Sequence, residues 1–493
     1  MKPRRPPVSR MLSRWLPTLA FAVVGGLSFA AAQMLAARGF SRGLTNDLIG
    51  MVLLGASAKI DTAQIISAYP PITYLTMLSL QKVTGLQGLA AARLLTALLA
   101  GALGAAWMAS LLRARYKPLR AVVFVALLVL NPLFLRAVAG GPEFMLVLWG
   151  TWLLAANAFT LRATGGVNAL ILFSAALVIL MFSMLLGAVF ALAAMPFLLL
   201  AVPADIKGRS HVSAYMVLLF PVWFSLVSFA FVNWLLLHDA LAFIPARLYE
   251  VSLRSDGIWQ KAAMAAALGV ISAPILAGLI ARTRTRRLVR APALGLAATL
   301  PLAGALAILV GATESIAAPL APAIALSAAV AARWPLEVGR SRRVAVLLFA
   351  GLLGGCISLF LDRSNAQFLD ALLGTTRPAE RQTGAGQLGH FLAGRSGVLF
   401  DAVTYPAVVA ARGSAEGLIT SADDIFSLSL LRKRIEPAAV SVAVAAPDLA
   451  RNADAISRVF PDLYSAGVPG FRLVYDQDGW RVWTRDLKQE AQR

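Results

Sequence analysis

Arg282-Thr-Arg-Thr-Arg-Arg-Leu-Val-Arg290 sits between two apolar runs, 262–281 and 291–311, and its reading decides the fold. Each flank is close to the ~20 apolar residues that cross a bilayer. A loop this rich in arginine between two such runs belongs on the cytoplasmic side. Further runs lie at 15–37, 88–112, 121–136, 143–160, 168–184, 186–203, 212–237, 315–332 and 344–361. The stretch from Asn168 to Pro203 is too long for one span and divides near Ser183 to Gly187. The expected fold is a polytopic α-helical membrane protein of 11 spans over residues 1–361, with a soluble domain over 362–493.

Composition agrees. The 493 residues are 59% hydrophobic and only 14% charged, against about 25% charged in soluble domains. That excludes a soluble globular enzyme and a disordered chain. The net charge of +21 would suit a nucleic-acid binder if it covered one surface. It does not. With the N-terminus inside, segments 1–15, 113–120, 161–168, 204–211, 282–290 and 333–343 hold 21 basic residues against Asp205 and Glu337. The tail after Leu361 is neutral, with 15 basic and 15 acidic residues. The positive charge therefore orients the chain and meets membrane lipids, and no nucleic acid is expected. An odd number of spans puts the tail outside. The excess of arginine over lysine is attributed to genome composition.

The first run begins with basic residues and ends at Ala30-Ala31-Ala32, as a signal peptide does. Its apolar core exceeds the usual 7–15 residues, which favours a retained helix. The one cysteine, Cys356, excludes an internal disulfide and a cysteine zinc site, and its apolar setting reads as a buried, inert thiol. His211, His238 and His390 form no ligand pattern.

Two shorter apolar stretches, Leu48 to Ile60 and Ile72 to Val83, fall within the first outer loop, about 38–87. They flank Ser67-Ala68-Tyr69-Pro70-Pro71, where a double proline stops one helix and starts the next. The reading is of two helices on the membrane surface. In the tail, 396–401 and 405–411 read as short strands around a turn, Val440 to Ala446 as a strand and Ala453 to Phe460 as a helix. Phe471 to Tyr475 and Trp480 to Trp483 alternate around Asp476-Gln-Asp-Gly479, a hairpin signal. An α/β or α+β domain is expected. Thr383 to Gly389 is glycine-rich but lacks the residues of a phosphate loop, and reads as a flexible lead-in.

The outward acids are few: Asp47, Asp61, Glu143, Asp239, Glu250, Asp256 and Glu314. Asp47 follows Thr45-Asn46 before an apolar run, which suits a helix cap and a carboxylate beside the membrane equally. Glu143 follows Gly140-Gly141-Pro142 at the edge of the fourth run. A helix N-terminus favours an acid there, and an ionisable group near the apolar zone points to function. The loop from His238 to Lys261 carries Arg247, Tyr249, Arg254 and Lys261, against the positive-inside bias. It reads either as an ordinary solvated loop anchored by Trp259 or as a phosphate grip.

In this order the residues resemble the integral-membrane glycosyltransferases of the GT-C fold, in the bacterial branch of protein mannosyltransferases and lipid A aminoarabinose transferases. Four features carry the resemblance over about the first 200 residues. They are Asp47 after the first span, Tyr69-Pro70-Pro71-Ile72-Thr73-Tyr74, Ala91 to Leu95 opening the second span, and Asn131-Pro132 with Gly140 to Glu143. The resemblance implies a bacterial inner-membrane enzyme with a polyprenyl-phosphate-linked sugar as donor and a glycan, lipid or protein acceptor. It implies inversion at the outer face, with Asp47 as general base and Glu143 as the second acid. Arg247, Arg254 and Lys261 are the candidates to bind the donor phosphate, and Tyr69, Tyr74 and Tyr249 to line the pocket. The family's Asp-Glu pair is Asn46-Asp47 here. A divalent cation is thus the only candidate cofactor, and metal binding stays open.

Two other readings remain. A transporter or flippase of a lipid-linked glycan would place ionisable groups near the midplane and break helices in pairs; Arg93 is one of very few charges inside a run. A membrane-anchored binding or assembly protein would act through its outer domain.

Overall fold

The computed structural model describes residues 7–38, 40, 43–61, 63–64, 68–86, 88–203, 211–241, 257–283, 287–313, 315–337, 339–375, 384–447 and 454–486. It is mostly helical (73%) with one small sheet. Through residue 375 the helices are α1 (Pro7–Ala37), α2 (Gly43–Ala56), α3 (Pro71–Thr84), α4 (Gly88–Arg113), α5 (Pro118–Val129), α6 (Pro132–Ala139), α7 (Pro142–Thr164), α8 (Val167–Ser183), α9 (Leu185–Ala194), α10 (His211–Leu237), α11 (Ile258–Ser272), α12 (Pro274–Arg282), α13 (Arg287–Leu309), α14 (Pro322–Arg333), α15 (Arg340–Leu361) and α16 (Ala366–Leu373). Proline opens α3, α5, α6, α7, α12 and α14, where its missing N–H would have had no partner.

Among the described residues, six helices are long and apolar enough to cross a membrane, and up to eight spans result if each of two bent pairs counts as one. These apolar helices indicate a multi-pass membrane protein. The 11 expected runs all fall on helical segments, but several are not single spans. The run 121–136 is α5 and α6, bent by 59° at Asn131-Pro132, and 262–281 is α11 and α12, bent by 59° at Ala273-Pro274. A proline removes a backbone donor and collides with the preceding turn, so the helix kinks there. The helix in 315–332 shortens to α14, of 12 residues, with every residue from Pro322 to Ala331 buried. It is a core helix of its unit.

The chain divides into two compact units. The helical unit comprises Met1–Leu35, Tyr69–Thr73 and Arg93–Thr375. Both bends in it lie against α15. Asn131 accepts the Leu133 N–H (3.0 Å) and donates to the Gly351 carbonyl (3.2 Å). Gly354 passes so close to the second bend that a Cβ would stand 2.5 Å from the Ile271 carbonyl oxygen. Glycine in the middle of α15 thus admits two broken helices to one backbone.

The second unit comprises Ala36–Ala68, Tyr74–Ala92 and Thr376–Arg493. Its later elements are α17 (Gly384–Phe391), β1 (Val398–Leu399), α18 (Pro406–Arg412), β2 (Leu418–Ile419), α19 (Asp424–Leu431), β3 (Ser441–Ala445), α20 (Ala455–Val459), α21 (Leu463–Ala466), β4 (Phe471–Gln477) and β5 (Trp480–Arg485). The sheet order is β2-β1-β3-β5-β4, parallel across β2, β1 and β3 and antiparallel across β3, β5 and β4. Leu399, Ile419, Phe426, Val442, Val444 and Ile456 fill its core. The hairpin turns at Asp478-Gly479, both at positive φ (49° and 75°), the geometry of a tight turn matched to strand twist.

Two expectations for the tail are corrected. Where 405–411 reads as a strand the chain forms helix α18, because Pro406 starts a helix and Gly413 (φ 81°) ends it. Gly384 to Gly389 lies in helix α17, where Gly389 lets the helix close on Val408 and Ala411 of α18.

The first-loop helix α2 is part of this unit's interior. Ile49, Val52, Leu53 and Leu54 are 0–2% exposed, each burial contributing roughly 2 kcal/mol. A Cβ on Gly50 would collide with the backbone of Pro406 in α18. Beyond the helix, Lys59 pairs with Asp423 (2.7 Å), and the Thr420 hydroxyl donates to the Lys59 carbonyl (2.7 Å). The apolar residues of α2 are therefore covered by protein.

Candidate functional site

Asp47 belongs to the second unit and Glu143 to the helical unit. Helix α2 begins at Gly43, four residues before Asp47, so the acid is inside the helix and does not cap it. Asp47 is half-buried. The next turn carries the Met51 carbonyl, to which the Tyr74 hydroxyl donates at 3.5 Å. Tyr74 is buried, which pushes its phenol up to about 12.

Glu143 is the second residue of α7, behind Pro142, and only 4% exposed. Gly141 supplies the turn into the helix with φ 95°, which a side chain would resist. The N-terminal N–H groups of α7 favour a negative charge there. Seven residues earlier, Arg136 lies in the last turn of α6 and is buried as well, at 7%. Its Nε donates to Asn365 Oδ1 (2.8 Å), and its guanidinium lies 5.7 Å from the centre of the Phe368 ring.

Arg136 opens a polar cluster that the sequence reading passed over. Asn365 donates to Asp362 (2.8 Å). The buried Asp362 carboxylate also accepts from the Ser315 hydroxyl (2.6 Å), the Ala317 N–H (3.0 Å), and the Ser364 N–H (3.0 Å) and hydroxyl (2.7 Å). With so many donors on its oxygens, Asp362 reads as the tie between helix ends. In the sequence these are an arginine closing one apolar run and Asp-Arg-Ser-Asn closing the last, ordinary polar residues that do not mark the pairing.

The Tyr-Pro-Pro segment has a definite role in the helical unit. The Tyr69 hydroxyl donates to the Met181 carbonyl (2.8 Å) and the Thr73 hydroxyl to the Ser183 carbonyl (2.7 Å). These carbonyls end α8, where Met184 turns extended (φ −172°) and breaks the helix from α9. The two hydroxyls satisfy acceptors that the break would otherwise leave bare. Burial pushes the Tyr69 phenol up.

Lys261 is exposed in the first turn of α11. Arg247, Tyr249, Arg254 and the acids Glu250, Asp256 and Glu314 lie outside the described residues. Among the described residues, no three His, Cys, Asp or Glu side chains stand together as a cation site.

The tail holds a second unanticipated constellation. Asp401 follows β1, and Asp454 caps α20 after β3, both at the carboxyl ends of parallel strands. Successive connections from β1 and β2 lead to opposite sides of β1, the kind of switch point where open sheets bind ligands. Asp401 accepts from the Ala455 N–H (2.9 Å) and the Thr404 hydroxyl (3.1 Å); Asp454 accepts from the Tyr405 hydroxyl (3.2 Å). Burial raises the Asp401 carboxyl above its ordinary value, the nearby Asp454 adds to the rise, and the donated hydrogen bonds oppose it.

Comparison with known protein families, with curated proteins and with solved structures finds no match.

Proposed function

We propose that the protein is a membrane glycosyltransferase of the GT-C type, which moves a sugar from a polyprenyl-phosphate donor to an acceptor hydroxyl at the outer face of a bacterial inner membrane. The observation that carries this reading is Glu143, a carboxylate buried in an apolar helical unit at the start of α7. An ionisable group in such a setting points to function. Asp47, half-buried in the helix that follows the first apolar span, supplies a second acid.

In this reaction Asp47 takes the acceptor proton as the acceptor oxygen attacks the anomeric carbon. The bond from that carbon to the phosphate oxygen breaks, and polyprenyl phosphate leaves with the electron pair. Inversion follows from the single displacement. Glu143, and Lys261 with Arg247 and Arg254, keep the roles that the family resemblance implies, orienting the acceptor and offsetting the charge on the leaving phosphate.

The test is transfer of labelled sugar from polyprenyl phosphate in membranes holding Asp47→Asn or Glu143→Gln at wild-type levels. A general base contributes about 10²–10⁴-fold, so Asp47→Asn should lose at least about a hundredfold. Full activity in that variant removes Asp47 from the reaction.

The two bent spans favour a second reading, a flippase, since transporters build their sites from broken helices. The side chains at these bends are Asn131, Ser272 and Ser358, polar but without charge, whereas ion and substrate pathways carry ionisable groups.

A further inference from the structure

A cavity of about 870 Å³ opens in the helical unit between the turn joining α4 to α5 and the start of α15. Five cations line it: Arg115, Lys117, Arg120, Arg340 and Arg342. Its one acid, Glu337, already accepts from Arg282 (2.8 Å) and Arg343 (3.0 Å). The positive charge inside the cavity is therefore not cancelled by its own wall.

Two helices begin at the wall of the same space. α5 starts at Lys117-Pro118 and α15 at Gly339-Arg340, and neither has a side-chain cap. The helix dipoles attract an anion there. Arg340 is 7% exposed, stacked 3.8 Å above the Tyr116 ring and held by the Ala114 carbonyl (3.0 Å). Its Nε has no hydrogen-bond partner among the described residues. The guanidinium is thus a fixed positive charge in the cavity wall.

The cavity also has an apolar edge. Leu119, Val123 and Leu336 line it and are 75%, 45% and 66% exposed. A free phosphate has no use for that surface, whereas an acyl chain does. The volume lies within the range of pockets that enclose a small organic ligand, large enough for a headgroup with its glycerol. The sequence places this end of the unit among the basic loops assigned to the cytoplasmic side, where anionic lipids collect.

We infer that this cavity binds the phosphate headgroup of an anionic phospholipid, with Arg340 and the two helix N-termini on the phosphate and the apolar edge along the chains. The site is independent of the glycosyl-transfer reading.

The experiment is native mass spectrometry of the delipidated full-length protein, offered phosphatidylglycerol and phosphatidylcholine in equal amounts. Arg340 is buried and its replacement endangers folding, so the exposed cations Lys117→Gln, Arg120→Gln and Arg342→Gln are combined instead. Wild type should retain phosphatidylglycerol preferentially. Each charge-assisted contact to the headgroup contributes roughly tenfold, so the triple variant should lower that preference by at least about a hundredfold. Arg14→Gln, Arg113→Gln and Arg333→Gln, outside the cavity, should leave it unchanged. Equal retention of both lipids by wild type, or equal loss in the two triple variants, overturns the site. Displacement of phosphatidylglycerol by millimolar inorganic phosphate reassigns it to free phosphate and overturns the lipid claim.

Discussion

Helices α10 and α2 are both strongly apolar, but only one presents that surface outward. α10 runs for 27 residues and exposes Phe220, Trp223, Phe224, Phe231 and Trp234. α2 runs for 14 residues and buries Ile49, Val52, Leu53 and Leu54 in the interior of the second unit. The difference is length. About 20 residues reach across a bilayer, whereas 10–14 suit a buried core helix. This short apolar helix is then part of the core that the tail builds, although hundreds of residues separate them in sequence.

The strongest way to break this comparison is Gly50→Leu. The side chain must push α2 away from the Pro406 backbone, at a cost on the order of 4 kcal/mol. Thermal melting and trypsin sensitivity of the tail should report loss of the second unit. Val217→Leu on the exposed face of α10 should leave both unchanged. Equal effects from the two substitutions would remove the distinction between the helices.

A smaller effect is expected within the helical unit. Asp362→Ala leaves the Ser315, Ala317, Ser364 and Asn365 donors without their carboxylate. Buried donors left unpaired cost about 1–3 kcal/mol each, and local relaxation limits the total to about 2–3 kcal/mol. The melting temperature should fall with little change in tail proteolysis, the reverse of the Gly50 pattern.

The smallest effect sharpens the account of the tail. Asp401 has its carboxyl raised in the folded state, first by burial. A raised value means that the folded state holds the proton more tightly than the unfolded one. This group's contribution is complete below the unfolded value near 3.9 and declines as pH rises through the folded value. Tail stability in wild type relative to Asp401→Asn should therefore fall as pH rises across that window. A difference that stays flat with pH would show that Asp401 is not perturbed.

Much of this was legible in the sequence. All 11 apolar runs fall on helical segments, and the 471–485 hairpin and the strand at Val440 to Ala446 follow from alternation, β-branching and an Asp-Gly turn. The bends at Asn131-Pro132 and Ala273-Pro274 were written in the prolines, but a count of apolar length passes over them. Residues 405–411 look like a strand through Val408-Val409, and the stronger signals were Pro406 and Gly413 at the helix ends. The tie among Arg136, Ser315, Asp362 and Asn365 was not legible, because its members lie up to 229 residues apart and each alone is an ordinary polar residue at a helix end. The cover on α2 was hidden for the same reason. Of the candidate site, the positions of Asp47 and Glu143 after apolar segments were readable, while the burial of Glu143 and the carbonyl partners of Tyr69 and Thr73 required tertiary packing.

Glycosyl transfer from a polyprenyl-phosphate donor, with Asp47 as base, is tested most directly by turnover of a defined donor. Purified full-length protein in liposomes would receive labelled polyprenyl-phosphate sugar and an acceptor-containing membrane extract, and released polyprenyl phosphate would be measured. The account predicts release by wild type and a loss of at least about a hundredfold in Asp47→Asn at an unchanged melting temperature. Equal release by both proteins would contradict it, as would movement of the intact lipid-linked sugar between leaflets with no release.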